Sequence, residues 1–406
     1  MQAQPPEPLP MQSEVLSPRV NQRSIAEAGA PARRKGRVTM LGLRGIPDVQ
    51  GGVEKHVEML AGRLAAQGWE VEVVGRSPYL PGRGAREWNG VRVVPLWAPQ
   101  RAALEALVHT FLGVCRAAVR RPDILHIHAV GPALMVPLAR LLGLRVAVTH
   151  HGYDYDRQKW GRFARAALKL GERFGMGWSH GRIAVSGDIA RTMDARYGIA
   201  VDFVPNGVAV APGDARTGIL NDLGLAPRRY ILLAARFVPE KRQTDLIRAF
   251  VGLGDPRFRL VLAGDAEFDS AYAREAKKLA SDTPGVVLAG FQSGDRLAEL
   301  FASAALFVLP SSHEGMPIAL LEAMAYGLPV LASDIVANRE IGLPEGDYFP
   351  LGDTGALAAA MAEKLAALPG EDEMRRRARE VEAAYSWSGI ARRTEAVYEA
   401  VLGRKR

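Results

Sequence analysis

The sequence contains a single cysteine, Cys115, among its 406 residues. One thiol cannot form an intramolecular disulfide, which indicates a reducing compartment and favours a cytoplasmic protein. The chain has no run near the roughly 20 apolar residues that a membrane-spanning helix needs. Its start lacks the apolar core of a secretory signal, and the Pro, Gln, Ser and Ala content predicts a disordered tail over residues 1–36.

The formal net charge is +8, which suits a nucleic acid, an anionic membrane surface or a phosphorylated substrate as partner. The basic residues are spread along the chain and no familiar nucleic-acid-binding module is present, so we expect no nucleic acid. One local cluster, residues 157–173, mixes Arg and Lys with Trp, Phe and Leu. It fits a basic amphipathic helix on an anionic membrane surface and, equally well, a surface helix with one buried stripe.

Short apolar strands alternate with helical stretches in two successive series, the first beginning at VTMLG and the second at YILLAAR. Such alternation predicts parallel sheets covered by helices on both faces. A Pro-, Asn- and Gly-containing break separates the series at 205–214. We therefore expect an α/β protein with two Rossmann-like, doubly wound domains, at 37–206 and 214–385, that face each other across a cleft. A C-terminal helix within 386–406 is expected to pack back on the first domain.

The segment LFVLPSSHEGMPIALLEAMAYGLPVLAS, residues 306–333, is the most informative. A buried strand leads through a polar loop into a helix that is predicted to begin near Pro317, a residue suited to the first helical position. Backbone amides and the positive dipole end make such a helix start a site for phosphate. Glu314 lies in the loop and Glu322 inside the helix. An isolated pair of this kind is more often a helix-end charge and a solvated side chain.

Two cations and two glycines add to this pattern. Arg236 and Lys241 follow the first strand of the second series, although an Arg and a Lys at a strand end are by themselves more often surface residues. Gly51 and Gly52 precede the first helix and allow the backbone to approach a phosphate closely. No G-K-[ST] follows them, so this is not a P-loop, and the G-L-R-G-I-P string differs from the G-x-G-x-x-G of dinucleotide oxidoreductases.

The H-E-G-M-P-x-x-L-L-E-A-M-A-x-G-x-P-V string resembles the signature of the large retaining glycosyltransferase family 4, whose members have the GT-B fold. The resemblance extends over residues 38–402, and Arg236 and Lys241 match the R-x-x-x-x-K element of the family. It implies that these two side chains neutralise the diphosphate of a nucleotide-sugar donor while charge grows on the leaving group. It also implies that Glu314 orients the donor sugar and that Glu322 holds the ribose.

The same resemblance assigns the remaining donor contacts to the Gly51–Gly52 amides and to the loop amides of Gly315, Met316 and Pro317. In this fold Lys, Arg and helix termini take the place of a metal ion. The resemblance therefore implies a metal-independent hexosyltransferase that needs no cofactor beyond its donor substrate. The expected mechanism is front-face displacement, in which the departing phosphate acts as the base and no carboxylate forms a covalent adduct.

Two strings narrow the resemblance further. G-x-R-G-I-P and HHGYDYDRQKWGRFARAALKLGE look like bacterial polysaccharide-synthesising members of the family, several of which transfer rhamnose from dTDP-rhamnose. This likeness favours dTDP-rhamnose, with UDP- and GDP-hexoses as close alternatives. The acceptor is expected to be a growing polysaccharide or a lipid-linked oligosaccharide, which would place the enzyme peripherally at the inner face of the cytoplasmic membrane.

The histidines fall at strand ends. His151 matches the family histidine beside the donor sugar, and His150 should point the opposite way because side chains alternate along a strand. His126 and His128 share one strand face, but without further ligands nearby we expect no metal site.

Asp154 and Asp156 imitate the D-x-D metal motif of another glycosyltransferase fold. Because they lie in the first domain, we expect Asp154 to contact the acceptor.

Two alternatives remain at this point. A non-hydrolysing nucleotide-sugar epimerase shares the two-domain arrangement, and a basic nucleic-acid-binding protein would suit the net charge.

Overall fold

The computed structural model describes residues 35–82, 84–99, 102–156, 160–208, 217–266 and 269–403. The predicted tail lies outside these ranges except for its last two residues. Gly36 is the first residue of a strand and lies directly before the predicted start of the first domain at residue 37. Most of the predicted linker, residues 209–214, also lies outside the described residues.

The first half of the chain forms an eight-stranded sheet. Its strands are β1 (Gly36–Leu41), β2 (Trp69–Arg76), β3 (Arg86–Trp88), β4 (Val91–Leu96), β5 (Ile124–His128), β6 (Val146–His150), β7 (Gly181–Ala184) and β8 (Asp202–Phe203). The helices of this half are α1 (Gly52–Ala66), α2 (Ala102–Arg120), α3 (Val136–Leu141), α4 (Arg162–Trp178) and α5 (Gly187–Tyr197). The strand order is β3-β4-β2-β1-β5-β6-β7-β8, with only the short β3 antiparallel to its neighbour.

The second half forms a six-stranded, all-parallel sheet in the order β11-β10-β9-β12-β13-β14. Its strands are β9 (Tyr230–Ala234), β10 (Arg259–Ala263), β11 (Val286–Gly290), β12 (Leu306–Leu309), β13 (Val330–Ser333) and β14 (Tyr348–Phe349). The helices are α6 (Ile219–Asp222), α7 (Gln243–Leu253), α8 (Ala271–Asp282), α9 (Gly294–Ser303), α10 (Ile318–Ala325), α11 (Val336–Arg339), α12 (Thr354–Ala366), α13 (Glu371–Tyr385) and α14 (Trp387–Val401).

The central strands β5, β6, β12 and β13 are buried at every position, on both faces, and most of their residues are apolar. This burial is the reason that their sequences are largely apolar runs instead of alternating patterns. The predicted α/β fold with two doubly wound sheets is confirmed. In each sheet the strand order reverses beside the first strand, between β1 and β5 and between β9 and β12. Ligands of doubly wound proteins bind outside the carboxyl ends of the strands at such points.

The chain passes between the halves at two adjacent places. Val208 donates a backbone hydrogen bond to the carbonyl of Tyr385 (2.8 Å) and pairs with Ser386 as an isolated parallel bridge. The last helix, α14, then contacts α1 and β7 of the first half. Its buried Trp387 packs on Gly207, where an added Cβ would collide with the indole ring. The polypeptide connections between the two halves are therefore close together, beside the cleft.

One predicted helix start is wrong, and the other differs by one residue from the first helical position. The basic helix was expected over 157–173, but α4 begins at Arg162, because Gly161 before it is extended (φ −71°, ψ 172°); Arg157 and Lys159 lie outside the described residues. Pro317 is not the first helical residue. Its ψ of 102° is not helical, so it caps α10, which begins at Ile318.

Candidate active site

A cavity of about 750 Å³ lies where the carboxyl edges of the two sheets face each other. Its lining comes from both halves of the chain. The first half supplies the predicted residues Gly51, Gly52, His151 and Asp154, and the second supplies Arg236, Lys241, Glu314, Gly315, Met316, Pro317 and Glu322. The structure thus brings together around one cavity all the residues that the sequence marked for donor or acceptor contacts.

The loop from β12 to α10 meets the first half at a backbone-to-backbone contact. A Cβ on Gly315 would collide with the carbonyl oxygen of His151, and a Cβ on Gly152 would lie 3.3 Å from the Cα of Gly315. Only glycine allows two main chains to approach this closely. The contact places the start of α10, with its amides and dipole, against the strand end that carries His151.

Lys241 and Glu314 form an ion pair within the cavity lining. Lys241 ends a short 3₁₀ turn, Pro239–Lys241, and the backbone amide of Ser312 donates to the carbonyl of Glu240 (2.8 Å), which joins the two loops. The sequence assigned these side chains to different parts of the donor. In the structure the ammonium and the carboxylate are each other's partners, so a bound anion would have to share or displace this interaction.

Glu322 lies in the first turns of α10 and faces α1 of the other half. Burial raises the pKa of Glu322, the positive charge of Lys55 acts against that rise, and the nearby carboxyl of Glu58 adds to it. All three residues line the cavity. The carboxyl is therefore placed across from α1 and is less acidic than an exposed glutamate.

Arg44 and Glu54 form a buried pair that the sequence reasoning missed. The guanidinium donates from Nε to Oε1 and from Nη2 to Oε2 of Glu54, both at 3.0 Å, and Nη2 also donates to the carbonyl of Gln50 (2.7 Å). A Cβ on Gly51 would collide with the Glu54 carboxylate and crowd the guanidinium. The pair therefore fixes the loop between β1 and α1 and requires glycine at position 51.

The negative charge of Glu54 also interacts with Arg236, in the second half of the chain. Burial raises the pKa of Glu54, but the Arg44 guanidinium and its hydrogen bonds outweigh burial, and Arg236 contributes as well, so that the pKa falls to about 2. An ionised carboxylate thus lies within electrostatic range of Arg236. The loop that carries Gly51 and the predicted diphosphate-binding arginine are coupled through Glu54.

His150 points away from the cavity, as predicted, and holds the loop that follows it. The Gly152 amide donates to Nδ1 of His150 (3.2 Å), so Nε2 carries the proton and donates to Glu172 (3.1 Å). The Glu172 carboxylate also accepts hydrogen bonds from Tyr155, Arg196 and Tyr197, at 2.9, 2.6 and 2.9 Å. Burial raises the pKa of Glu172, but the interaction with His150 and the hydrogen bonds from Tyr197 and Tyr155 bring it to about 2. A buried anion thereby anchors the segment that carries His151 and Asp154.

The expectation that His126 and His128 have no further ligands nearby is wrong for His128. Its Nδ1 lies 3.1 Å from Nε2 of His151, and the ring of His56 stands 4.8 Å from that of His151, centre to centre. His126, in contrast, is bonded to the Tyr398 hydroxyl and to Thr149, at 2.7 Å each.

Asn206 connects this histidine cluster to the donor loop, which is the segment 310–317 between β12 and α10. Nδ1 of His56 donates to Oδ1 of Asn206 (2.8 Å), and Nδ2 of Asn206 donates to the carbonyl of Met316 (2.9 Å). Asn206 is buried at the point where the chain leaves the first half. Asn206, which lies in the predicted break at 205–214, is thus a hydrogen-bonded link between α1 and the start of α10.

Arg44, Glu54, His56 and His128 are the residues of the site that sequence reasoning did not find. A weak signal existed for His56, because it precedes the buried Leu60 and Leu64 at intervals of four on α1 and so shares their inward face. Nothing in the spacing pairs Arg44 with Glu54, since a loop and a helix bring them together.

The two halves match two protein-family models. Residues 50–211 match Glycosyltransferase Family 4, and residues 228–367 match Glycosyl transferases group 1. Among curated proteins, the chain is 30% identical over 384 residues to the phosphatidyl-myo-inositol mannosyltransferase of Mycobacterium leprae. The alignment covers 87% of this chain and 94% of that protein.

Solved structures with the same fold include two from cyanobacteria. The sucrose-phosphate synthase of Thermosynechococcus elongatus aligns with a TM-score of 0.76 at 21% identity, covering 91% of this chain and all of that one. The HepE protein of Anabaena in complex with UDP and glucose aligns with a TM-score of 0.72 at 18% identity, covering 90% of this chain and all of that one. These similarities confirm the predicted GT-B fold.

The Arg44–Glu54 pair predicts a specific pH dependence of stability. The folded-state pKa of Glu54 is about 2, against 4.5 for a free glutamate. Ionisation of Glu54 therefore contributes roughly 3 kcal/mol to the free energy of unfolding when the pH is above 4.5. This contribution is lost as the pH falls from 4.5 towards the folded-state pKa of about 2. We expect E54Q to lower the free energy of unfolding most at pH 7, and the gap to wild type to narrow as the pH falls below 4.5, measured by urea unfolding followed by circular dichroism.

The matched control is E373Q, which removes a carboxylate that pairs with Arg376 and Arg377 on α13. Because water and salt screen exposed ion pairs, its effect should be small. A gap between wild type and E54Q that stays constant with pH, or equals that of E373Q, would contradict the buried-pair account.

Proposed function

The chain belongs to glycosyltransferase family 4, and we propose that it is a retaining hexosyltransferase that moves a sugar from a nucleotide diphosphate to a carbohydrate acceptor. One observation carries the proposal. Arg236, Lys241 and the start of α10 converge on the cavity between the halves, where they can neutralise a diphosphate as it leaves.

Charge development explains why the site needs these groups. When the bond between the sugar and the diphosphate breaks, negative charge grows on the phosphate oxygens, and preorganised donors aimed at that charge lower the barrier. A diphosphate carries more charge than the Glu314 carboxylate, so it competes well for the Lys241 ammonium. Release of Glu314 from this pair would free its carboxylate to accept hydrogen bonds from the sugar hydroxyls.

We propose that His151 and Glu314 hold the donor sugar and that Glu322 binds the ribose. The amides of Gly51 and Gly52 would act on the phosphates from the opposite side. The acceptor hydroxyl would attack the anomeric carbon from the face that the diphosphate leaves and pass its proton to the departing phosphate. Asp154, which lines the first-half side of the cavity, would bind the acceptor.

The donor is proposed to be dTDP-rhamnose, on the likeness of the G-x-R-G-I-P and HHGYDYD strings to rhamnose-transferring polysaccharide enzymes. UDP- and GDP-hexoses are the alternatives. The mycobacterial relative is named for mannosyl transfer, and the HepE complex contains UDP and glucose. Family membership does not favour the epimerase or the nucleic-acid-binding alternative.

We propose that the acceptor is a growing, lipid-linked polysaccharide at the inner face of the cytoplasmic membrane. Among the described residues, no helix combines the length and apolar composition that crossing a bilayer requires. The support comes from α4, where Phe163 is 94% exposed and Leu170 is 43% exposed. Exposed cations lie around them on the same helix: Arg162, Arg165, Lys169 and Arg173. Such a surface suits an anionic bilayer.

Donor binding is tested by thermal shift with dTDP-rhamnose, UDP-glucose and GDP-mannose. A ligand at 100 times its Kd stabilises the folded state by about 2.7 kcal/mol, and we expect dTDP-rhamnose to give the largest rise in Tm. Nuclear magnetic resonance of the transferred sugar should show the anomeric configuration of the donor. The absence of both a shift and a transfer product with every donor would contradict the proposal.

Replacing Lys241 tests the role of positive charge at the leaving group. We expect K241A to reduce kcat about 100-fold or more, with a smaller change in KM, because the interaction strengthens as charge develops. K278A is the matched control, since Lys278 is exposed and pairs with Asp282 on the surface of α8. Wild-type kcat for K241A would exclude Lys241 from the chemistry.

Metal independence is tested with protein and donor freed of divalent ions by EDTA. Because two cationic side chains and helix amides take the place of a metal in the proposed mechanism, we expect the transfer rate to remain unchanged. A rate that disappears in EDTA and returns with Mg²⁺ or Mn²⁺ would overturn this part of the proposal.

Membrane attachment is tested by sedimentation with vesicles of phosphatidylglycerol or phosphatidylcholine. We expect binding to the anionic vesicles only, weakened by the double variant F163A/R165Q. The matched control, V251A/R248Q, removes an exposed apolar and a cationic side chain from α7. Equal binding of both variants would show that α4 is not the attachment surface.

A further inference from the structure

We propose that His56, His128 and His151 form a binding site for a divalent transition metal of the zinc class, and that an ion bound there inhibits transfer. The site goes beyond the proposed function, which uses no metal, and only its inhibitory effect rests on that function. The three side chains can each offer one nitrogen such that all three atoms lie within 4.8 Å of one another.

Three different elements supply the ligands. His56 lies on the inward face of α1, His128 is the last residue of β5, and His151 directly follows β6. His56 and His128 are 2% and 0% exposed, whereas His151 borders the cavity. The cluster therefore has a rigid interior and one open side through which an ion can enter and a water molecule can complete the coordination.

His56 already has the outer hydrogen bond that metal-binding histidines use. Its Nδ1 proton is donated to the amide oxygen of Asn206 (2.8 Å), which leaves the lone pair on Nε2. A partner of this kind fixes the tautomer and the ring orientation of a ligating imidazole. Because Asn206 also donates to the carbonyl of Met316, the position of the His56 ring depends on the position of the donor loop.

His128 and His151 are spaced like two ligands of one ion. Their facing nitrogens are 3.1 Å apart, and zinc–nitrogen bonds of about 2.0–2.1 Å in a tetrahedron place two ligand nitrogens roughly 3.3 Å apart. One of these two facing nitrogens carries a proton, which it donates to the other. The ring with that proton must carry it on its other nitrogen before an ion can bind.

The other nitrogen of His128 is an unexplained feature of the interior. Nε2 is buried and has no hydrogen-bond partner among the described residues. An unsatisfied buried nitrogen is uncommon and costs stability. It also means that the ring is held through Nδ1 alone, so reorientation towards an ion breaks only one hydrogen bond.

Burial favours the neutral form of all three rings. Burial lowers the pKa of His56 to about 4, despite the Asn206 bond. Burial, and then the neighbouring imidazoles, lower the pKa values of His128 and His151 well below the usual range. Neutral imidazole is the form that binds metal. Three nitrogen ligands with an open position suit Zn²⁺, and also Co²⁺ as a spectroscopic probe.

Inhibition follows from the identity of the third ligand. His151 borders the cavity beside the proposed donor site, and an ion would hold its imidazole and add positive charge there. The donor sugar would then lose one of its proposed contacts. Transfer should proceed in EDTA and decrease as Zn²⁺ is added.

The test uses the full-length protein without a polyhistidine tag, titrated with Zn²⁺ by calorimetry and with Co²⁺ by visible absorption. We expect one equivalent of each ion to bind and Co²⁺ to give the intense d–d bands of a tetrahedral nitrogen site. H56Q and H128Q should each weaken binding at least about tenfold. H180Q is the matched control, because His180 is exposed and lies outside the cavity lining.

Three results would overturn the metal site: no stoichiometric binding, a spectrum of hydrated Co²⁺, or equal affinities in H56Q, H128Q and H180Q. Circular dichroism establishes that the variants fold, and the wild-type cobalt spectrum decides the question if they do not. Because binding is measured without donor, failure of the metal site leaves the transferase proposal intact. Zn²⁺ binding with an unchanged transfer rate would overturn the inhibitory effect.

Discussion

The pairing of charges inside the cleft is the constraint on which the site depends. The cations proposed to bind a diphosphate cannot remain unpaired in a partly buried cavity, because an uncompensated buried charge is costly. The protein solves this with carboxylates: Glu54 holds Arg44 and acts on Arg236, and Glu314 holds Lys241. The same carboxylates explain the local backbone, since the Arg44–Glu54 pair leaves room only for glycine at position 51.

The fold supplies the geometry for this arrangement. Each sheet reverses its strand order beside its first strand, and both reversal points open onto the same cavity. The start of α10 and the strand end at His151 meet through glycine backbones, while Asn206 bonds to both α1 and the α10 loop. Movement between the halves would therefore change the loop before α10 and the histidine cluster together.

The sequence predicted the fold and most of the cleft because both depend on local pattern. Continuous apolar strands alternating with helices define doubly wound sheets, and the segments that follow such strands lie at the cleft, as those with Arg236 and Glu314 do. The roles of these two residues were implied by the resemblance to glycosyltransferase family 4, not by the pattern. Arg44–Glu54 and His56–His128–His151 were missed because periodicity reports which residues share a face of one element, not which faces meet. The start of α4 was misplaced because the extended Gly161 outweighed the amphipathic pattern before it.

A crystal structure of the protein with dTDP or UDP tests the central claim most directly. The account predicts that the diphosphate lies between the Arg236 and Lys241 side chains and the first amides of α10, with Lys241 moved from Glu314 towards phosphate oxygens and no divalent ion bridging them. A nucleotide found elsewhere, or a diphosphate held by a metal ion while Lys241 remains on Glu314, would contradict it.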